Sequence, residues 1–252
     1  MIEIRNIGFE FEDGPTVFED LSVSLESGQT VAVLGANGTG KTTLLRLLAG
    51  LIEPTSGEIR VSGEDDPAVG LAPETPADGL FAQSVESEVA FFPTNRGLSV
   101  DERVQDALDQ LNIEHLAERD PYSLSEGEKR LVTIAAVLSG NPDVVALDEP
   151  TSGLDMSGLD RLGDRIKRIK RTVVLVTHDT DFAWRYADSV VVLSDAGLER
   201  QGPTEAVLND PEFGLEAIGL PTPRPVVWAR ERGVEPAPTT VSEAVSFLED
   251  EP

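Results

Sequence analysis

The sequence predicts an α/β fold in which a mainly parallel sheet is covered by helices on both faces. Short apolar segments at 30–35, 143–150 and 172–178 are typical of buried strands, and they alternate with segments of helical periodicity. Strands that are apolar throughout are typical of parallel sheets buried on both faces. The first thirty residues instead alternate apolar and polar side chains, which predicts a smaller antiparallel β layer at the N terminus.

The elements are expected in the following order. Two antiparallel strands are joined by the Asp13-Gly14 turn, and a buried strand at 30–35 leads into a helix from about Lys41 to Ala49. Further strands are expected at 56–63, 69–72, 143–150 and 172–178, with a closing hairpin over 189–202. Helices are expected within 84–119, from a cap at Ser125 to Leu138, and at 158–170, 181–187 and 241–249.

A change of composition near residue 210 divides the chain. The segment PTPRPVVW that follows is dense in proline, and an acidic amphipathic stretch ends the chain. We therefore expect a main domain over 1–210, with a helical subdomain at about 75–140 inserted in it, and a C-terminal extension over 211–252.

The net charge of −26 argues against nucleic acid as a partner. Acidic residues are spread along the whole chain, and only four lysines are present. This pattern indicates adaptation to molar intracellular salt, with an ordinary acidic bacterial enzyme as the alternative. An acidic surface repels the phosphates of nucleic acids. A basic cluster at 161–171 falls on a predicted helix, where we expect a solvated face.

Composition also restricts metal sites and location. The chain has no cysteine and two histidines, which excludes thiolate ligands and makes a multi-histidine metal site improbable. No apolar run approaches the roughly 18 residues of a membrane span, and the first residues do not resemble a signal peptide. A cytoplasmic protein is therefore expected.

Residues 35–43 carry the clearest chemical signal. The segment satisfies the Walker A pattern and lies between a predicted strand and a predicted helix: Gly35, Ala36, Asn37, Gly38, Thr39, Gly40, Lys41, Thr42 and Thr43. Glycines let backbone N–H groups point inward at phosphate oxygens, and the helix N terminus adds its dipole. Lys41 is expected to reach the β- and γ-phosphates of ATP, and the Thr42 hydroxyl to ligate Mg²⁺.

Two carboxylates end the buried strand at 143–150. Asp148 and Glu149 follow four apolar residues, so the strand delivers both to the carboxyl edge of the sheet, where ligands bind in open α/β folds. Asp148 is expected to hold Mg²⁺, directly or through water. Glu149 is expected to act as the general base that polarises the attacking water. Together with residues 35–43, this segment is interpreted as Walker B.

Three further segments extend these two motifs into a family resemblance. Leu124-Ser125-Glu126-Gly127-Glu128 resembles the signature motif of ABC ATPases, usually LSGGQ. The segment 152–155, which ends in Asp155, resembles the D-loop, and His178 matches the switch histidine. Over roughly residues 1–210 the chain thus resembles an ABC ATPase, which implies a P-loop NTPase fold of that type.

The resemblance implies a head-to-tail dimer with two ATP molecules between the subunits. Ser125 and Gly127 would then contact the γ-phosphate bound by the partner, and Asp155 would lie at the same interface. His178 would sense the γ-phosphate. Phe11 matches the aromatic residue that stacks on adenine in the family, with a core strand residue as the alternative.

The sequence departs from the family in two places. Alignment on the downstream Pro76 puts Glu74 where the family's Q-loop has glutamine. That carboxylate could meet Mg²⁺ or the water, but it adds negative charge beside the phosphates. The signature has Glu126 and Glu128 where glycine and glutamine are usual, and molar salt would screen their charge.

Within the family, the chain is most similar to the energy-coupling-factor group, whose members drive uptake of vitamins and transition-metal ions. The resemblance lies in residues 72–99 and 219–245, for which it implies docking of a transmembrane coupling subunit and dimer contacts. It further implies a second ATPase subunit, identical or related, and a substrate-binding membrane subunit. The chain would then act at the cytoplasmic face of the membrane.

Two alternatives to the importer subunit remain open at this point. One is a soluble ABC ATPase that acts on nucleic acid or ribosomes, although the chain has a single phosphate loop and no basic extension. The other is a partner-regulated nucleotide switch, which Glu74 and the altered signature would permit.

Overall fold

A computed structural model describes residues 1–12, 14–61 and 68–249 of the chain. Asp13 of the predicted turn, and the last two residues of the strand predicted at 56–63, lie outside the described residues. The strands are β1 (Ile2–Glu10), β2 (Thr16–Leu25), β3 (Thr30–Gly35), β4 (Ser56–Val61), β5 (Val69–Ala72), β6 (Val144–Asp148), β7 (Thr172–Thr177), β8 (Ser189–Ser194) and β9 (Gly197–Pro203).

These strands form two sheets, as the hydrophobic patterns predict. The smaller sheet has the order β2-β1-β4 and is antiparallel. The larger sheet has the order β5-β6-β7-β3-β8-β9; its first five strands are parallel, and β9 returns as the antiparallel partner of β8. Every residue of β3, β6 and β7 is buried, because helices or the small sheet cover both faces of the larger sheet.

Ten α-helices complete the described part of the chain. They are α1 (Lys41–Leu48), α2 (Val85–Val89), α3 (Phe91–Asn95), α4 (Val100–Leu111), α5 (Glu126–Ser139), α6 (Met156–Ile166), α7 (Thr180–Tyr186), α8 (Thr204–Leu208), α9 (Arg224–Arg232) and α10 (Val241–Glu249). All the described elements between β5 and β6 are helical. The cap predicted at Ser125 is present, since Ser125 and Glu128 form a reciprocal capping box at the start of α5. No helix in the described ranges is long and apolar enough to cross a bilayer.

The position of α6 differs from the helix predicted at 158–170. The helix begins at Met156 because the carboxylate of Asp155 caps it, accepting a hydrogen bond from the Gly158 N–H at 2.7 Å. It ends at Ile166, where the chain turns so that Ile169 can be buried. Residues 167–171, the second half of the basic cluster at 161–171, are therefore not helical.

Two hydrophobic clusters cover the two faces of the larger sheet. Alternate residues along β3 divide between them: Ala32 and Leu34 belong to one cluster, and Val31 and Val33 to the other. The first cluster joins the sheet to the helices that follow β5 in the sequence. The second joins it to α1 and to the smaller sheet. This arrangement confirms the predicted α/β class, with an antiparallel layer beside a sheet that has helices on both faces.

The C-terminal extension contributes to the first of these clusters. Its buried residues pack in the same core as Phe182 and Trp184 of α7: Leu215, Leu220, Val226, Ala229 and Ala237. The indole Nε1 of Trp184 also donates a hydrogen bond to the carbonyl oxygen of Pro238 at 2.9 Å. The composition changes near residue 210, but the hydrophobic core continues past it.

Replacing Leu215 by alanine should therefore destabilise the whole chain. Leu215 is 2% exposed, so the substitution leaves a cavity in the shared core and should lower the free energy of unfolding by about 2–5 kcal/mol. Leu51→Ala is the matched control, because Leu51 is 64% exposed and its loss should cost less than about 0.5 kcal/mol. Urea unfolding of both variants measures the difference. Equal effects would contradict a core shared with the extension.

Candidate active site

The candidate site lies at the carboxyl edge of the larger sheet. Strands β6, β7 and β3 are neighbours and parallel, so the residues that follow them meet at one edge. The phosphate loop follows β3, the pair Asp148 and Glu149 ends β6, and His178 follows β7. Three segments that are far apart in the sequence are thus brought together by the register of three strands.

The phosphate loop is closely packed around two of its glycines. Gly40 has a φ of +87°, and a Cβ there would lie 2.6 Å from Cγ1 of Val17. Gly35 lies so close to β8 that a Cβ would stand 2.7 Å from the Leu193 carbonyl oxygen. Only glycine fits at these two positions without a shift of its neighbours. Such glycines allow the loop to curl so that its N–H groups point at an anion.

Lys41 is buried within this loop. Its Nζ donates hydrogen bonds to the carbonyl oxygens of Gly35 and Ala36, both at 2.9 Å. Burial lowers the pKa of Lys41, while the carboxylates of Glu149 and Asp148 oppose that change. The ammonium is therefore surrounded by acceptors on the loop itself and lies 4.0 Å from Oε1 of Glu149.

Thr42 and Asp148 form the pair expected to hold a metal ion. The Thr42 hydroxyl donates to Oδ1 of Asp148 at 3.0 Å. Burial raises the pKa of Asp148, and the hydrogen bond from Thr42 opposes the rise. A hydroxyl and a carboxylate side by side next to a phosphate loop are the oxygen ligands that Mg²⁺ takes when substrate phosphates and waters complete its shell, so this pair fits Mg²⁺.

Glu149 has an unusual backbone conformation. Its φ is +42°, in the left-handed region that few residues other than glycine adopt. Its N–H donates to the Val176 carbonyl oxygen at 3.0 Å, and its Oε2 lies 3.2 Å from Nδ1 of His178. Strained residues of this kind cluster at functional sites, where the surrounding structure holds them in place.

A cavity of about 610 Å³ is lined by most of these groups, although Gly35 and Asp148 are not among its lining residues. That volume lies in the range of small-molecule sites. The site residues that line it are Phe11, Asn37, Gly38, Gly40, Lys41, Thr42, Thr43, Glu74, Glu149 and His178. Phe11 follows the end of β1 and is 45% exposed, so the alternative of a core strand residue is wrong. The side chain of His178 is 61% exposed.

The signature segment lines a second cavity, of about 640 Å³. Its lining includes Ser125, Gly127 and Asp155, which the family resemblance assigns to the interface with the nucleotide site of a partner subunit. Among the described residues, the two cavities share no lining residue. Within one chain the structure therefore does not bring these three residues to the phosphate loop.

Glu128 is tied to the start of the signature helix. Its Oε2 accepts hydrogen bonds from the N–H of Ser125 at 2.9 Å and from the Ser125 hydroxyl at 2.7 Å. These bonds lower the pKa of Glu128, with smaller contributions from Arg119 and His115. The glutamate that replaces the usual glutamine thus caps the helix.

Some lining residues were not expected from the sequence. Ser152, Pro15 and Val17 also line the first cavity. Arg161 and Arg165 line the second cavity together with the signature segment. Part of the basic cluster, which was expected to form a solvated face, therefore faces this cavity. Their spacing of four residues places them on one side of a helix, which could have indicated a shared surface.

Comparison with known proteins agrees with this geometry. The family model of ABC transporters matches residues 18–152. The energy-coupling factor transporter ATP-binding protein EcfA of Methanosphaera stadtmanae is 36% identical, over 86% of this chain and 84% of its own length. The solved structure of cbiO1 from Clostridium perfringens, described as part of the ABC transporter complex cbiONQ, is 29% identical with a TM-score of 0.77 and covers 91% of this chain and 98% of its own.

A second solved structure shares the fold alone. A nucleotide-free ATP-binding cassette from an ABC transporter superposes with a TM-score of 0.73 at 21% identity, over 84% of this chain and 96% of its own. On the family match and the relative at 36% identity, the chain belongs to the ATP-binding proteins of ABC transporters. It is an ATPase of that family, and the predicted likeness to the energy-coupling-factor group is confirmed.

Replacing Gly40 by alanine should disrupt the phosphate loop. The added Cβ would lie 2.6 Å from Val17 and 2.7 Å from Phe18, so the loop must shift. ATP affinity should then fall at least about tenfold, because the backbone N–H groups of the loop no longer point at the phosphates. Gly233→Ala is the matched control, because Gly233 also has a positive φ, +66°, but has nothing within 4 Å of the added Cβ.

The control should cost about 1–2 kcal/mol of stability from its backbone alone and leave ATP affinity unchanged. Calorimetric titration with ATP compares the two variants. Equal affinities would show that the close packing at Gly40 does not shape the loop.

Proposed function

We propose that the chain is the ATP-hydrolysing subunit of an importer of the energy-coupling-factor type. It would drive uptake of a vitamin or a transition-metal ion by ATP-dependent closure of a dimer. One observation carries the proposal: the chain holds both halves of an ABC nucleotide site, but they line separate cavities.

The separation of the two halves calls for a second ATPase chain. The Ser125 hydroxyl and the first N–H groups of the 14-residue helix α5 suit an anion. Placed against the phosphate loop of a partner, they would contact its γ-phosphate. Since one chain supplies both halves, two copies in a two-fold arrangement suffice to form two complete sites.

Hydrolysis would follow from the groups that line the first cavity, together with Asp148, which is hydrogen-bonded to Thr42. Thr42 and Asp148 would hold Mg²⁺, which supplies positive charge to the β- and γ-phosphates when bound. Glu149 would accept a proton from the water that attacks the γ-phosphorus. Lys41 would exchange its loop carbonyls for phosphate oxygens, and His178, already beside Glu149, would sense the γ-phosphate.

Three further residues would complete the nucleotide contacts. Phe11, exposed at the mouth of the first cavity, would stack on adenine. Glu74 lines the same cavity and would meet Mg²⁺ or the water at the position usually held by glutamine. Asp155 lines the second cavity and would lie at the interface with the partner, as would Gly127.

An aromatic patch on the helical subdomain would dock the transmembrane coupling subunit. We define the aromatic patch as Phe81, Phe91, Phe92 and Tyr122, which are 39–58% exposed. The rings of Phe81 and Phe91 meet edge to face at 4.7 Å. An exposed apolar cluster of this kind is typical of an interaction surface.

The loop that carries Phe81 is fixed by Glu88. This carboxylate is 1% exposed and accepts hydrogen bonds from the N–H groups of Phe81 and Ala82 at 2.8 and 2.7 Å. Because the loop is held this way, the patch has a defined shape before a partner arrives. A substrate-binding membrane subunit would then select the substrate, and the chain would work at the cytoplasmic face of the membrane.

The Glu149→Gln variant should separate binding from hydrolysis. The amide keeps the shape of the side chain but accepts a proton poorly, so ATP affinity should persist while turnover falls by about 100-fold or more. Lys41→Ala should instead lose ATP affinity. Glu205→Gln, on the exposed side of α8, is the control for removing one negative charge. Phosphate release and ATP titration are measured for each; wild-type turnover in Glu149→Gln would remove Glu149 from the base role.

Replacing Phe81 by serine should weaken docking. The test is recovery of a multi-span membrane protein with the tagged chain from salt-extracted membranes, with Leu51→Ser as a control at another exposed apolar position. Recovery should fall at least about fivefold for Phe81→Ser and stay constant for Leu51→Ser, since hot-spot aromatics dominate interfaces. Ribosomal proteins in place of a membrane protein would overturn the importer proposal in favour of a soluble ABC ATPase.

We also propose that the chain works in molar salt, because its net charge is −26. Salt screens the repulsion among the dispersed carboxylates, so the free energy of unfolding should be larger in 2 M KCl than in 0.1 M KCl by about 1 kcal/mol or more. Urea unfolding at the two concentrations measures this. An unchanged free energy would favour an ordinary acidic protein.

A further inference from the structure

Arg130 occupies an unusual position on the signature helix. It lies on α5, two residues beyond the signature segment, and is 7% exposed. Its Nε is buried without a hydrogen-bond partner in the described part of the chain. Buried guanidinium groups are normally paired with carboxylates, yet Arg130 is in none of the ion pairs found within the described ranges.

The guanidinium instead holds two backbone carbonyls of the loop after β6. Nη1 donates to the carbonyl oxygen of Glu149 at 3.2 Å, and Nη2 donates to that of Ser152 at 3.0 Å. The Glu149 oxygen also accepts from the Ser152 N–H at 3.1 Å, so both of its lone pairs are used. Arg130 thereby closes a turn over residues 149–152.

This turn contains the strained residue of the site. The N–H of Glu149 is held by Val176 of β7, and its carbonyl is held by Arg130 of α5. Its φ of +42° persists only if its surroundings hold it. Together with the Val176 carbonyl and the Ser152 N–H, Arg130 therefore fixes the direction in which the Glu149 side chain leaves the backbone.

The same loop connects the two cavities. Glu149 and Ser152 line the first cavity, which contains the phosphate loop. Residues 153–155 and Arg130 itself line the second cavity, which contains the signature segment. A side chain carried by the signature helix thus reaches the backbone of the residue beside Lys41. A displacement of α5 would be passed to Glu149 through the two hydrogen bonds.

We propose that Arg130 is a positioning residue, which holds Glu149 in the orientation for hydrolysis and makes that orientation depend on the position of the signature helix. The proposal rests on the proposed role of Glu149 as the base. Hydrolysis then follows engagement of the signature segment, because the base is correctly placed only when α5 is.

The first test compares three variants of the full chain. Arg130→Met removes both hydrogen bonds, and Arg130→Lys keeps the charge but replaces the planar fork of nitrogens by one ammonium nitrogen. Arg103→Met is the matched control, since Arg103 lies on α4 and its Nε is likewise buried without a partner among the described residues.

The expected effect is on turnover and not on binding. Arg130→Met should lower kcat by about tenfold or more with KM for ATP within about twofold, because misplacing a catalytic group affects the chemical step. Arg130→Lys should recover part of kcat, and Arg103→Met should leave both parameters unchanged. An equal loss in Arg130→Met and Arg103→Met would overturn the proposal.

A double-variant cycle separates positioning from general support of the fold. If Arg130 acts through Glu149, Arg130→Met should add little to the loss already caused by Glu149→Gln. An additive loss would contradict the proposal. Wild-type turnover in Glu149→Gln alone would instead overturn the base assignment, which is a different failure.

Amide hydrogen exchange provides a readout that does not depend on turnover. The Ser152 N–H closes the turn by donating to the Glu149 carbonyl, and the Leu154 N–H closes the next turn by donating to the Thr151 carbonyl. Arg130→Met should speed their exchange by about tenfold or more, while Arg103→Met should not, because local opening follows the loss of local contacts. Unchanged exchange in Arg130→Met would show that Arg130 does not hold the turn.

Discussion

The parallel register of β6, β7 and β3 is the constraint on which the site depends. It places Asp148 opposite Val176 and Leu34 opposite Thr177, so the loops that follow the three strands start at one level of the sheet. A one-residue slip would turn every side chain to the other face. Because alternate residues of these strands pack in two separate cores, such a slip would exchange the side chains of the two cores and disrupt the packing of both. The hydrophobic core thus fixes the relative positions of Lys41, Glu149 and His178.

Much of this arrangement could be predicted from the sequence because it is encoded over short distances. The phosphate loop, the strand that ends in Asp148 and Glu149, and the Ser125–Glu128 capping box are each contained within nine residues or fewer, and the structure bears out their local geometry. The observed start of α6 differs from the predicted one because Asp155, which the family resemblance assigns to the D-loop, is also the helix cap. Arg130 was missed because its partners are backbone carbonyls of another element, which no sequence pattern records.

Negative charge around the site is managed by local contacts. Glu128, unusual in the signature, is bound by Ser125 at the start of α5, where a carboxylate is favoured by the helix dipole. Arg161 and Arg165 line the second cavity, which Ser125 and Glu128 also line. Glu74 lines the first cavity, and its negative charge adds to the effect of burial in raising the pKa of Asp148. Among the residues that differ from the family motifs, Glu74 therefore has the most direct electrostatic effect on the proposed Mg²⁺ pair. The altered signature motif is therefore compatible with an anion site, whereas Glu74 adds negative charge at the first cavity.

The central claim is that the phosphate loop is half of a site that a second chain completes. Light scattering of the full-length Glu149→Gln chain with Mg-ATP tests it most directly, because slow hydrolysis preserves the closed form. The account predicts that the mass doubles with ATP, and that adding Ser125→Glu abolishes the doubling while each chain still binds ATP. A site shared between two chains would be contradicted if the Glu149→Gln chain kept the mass of a monomer with ATP bound. It would also be contradicted if the mass still doubled after Ser125→Glu was added.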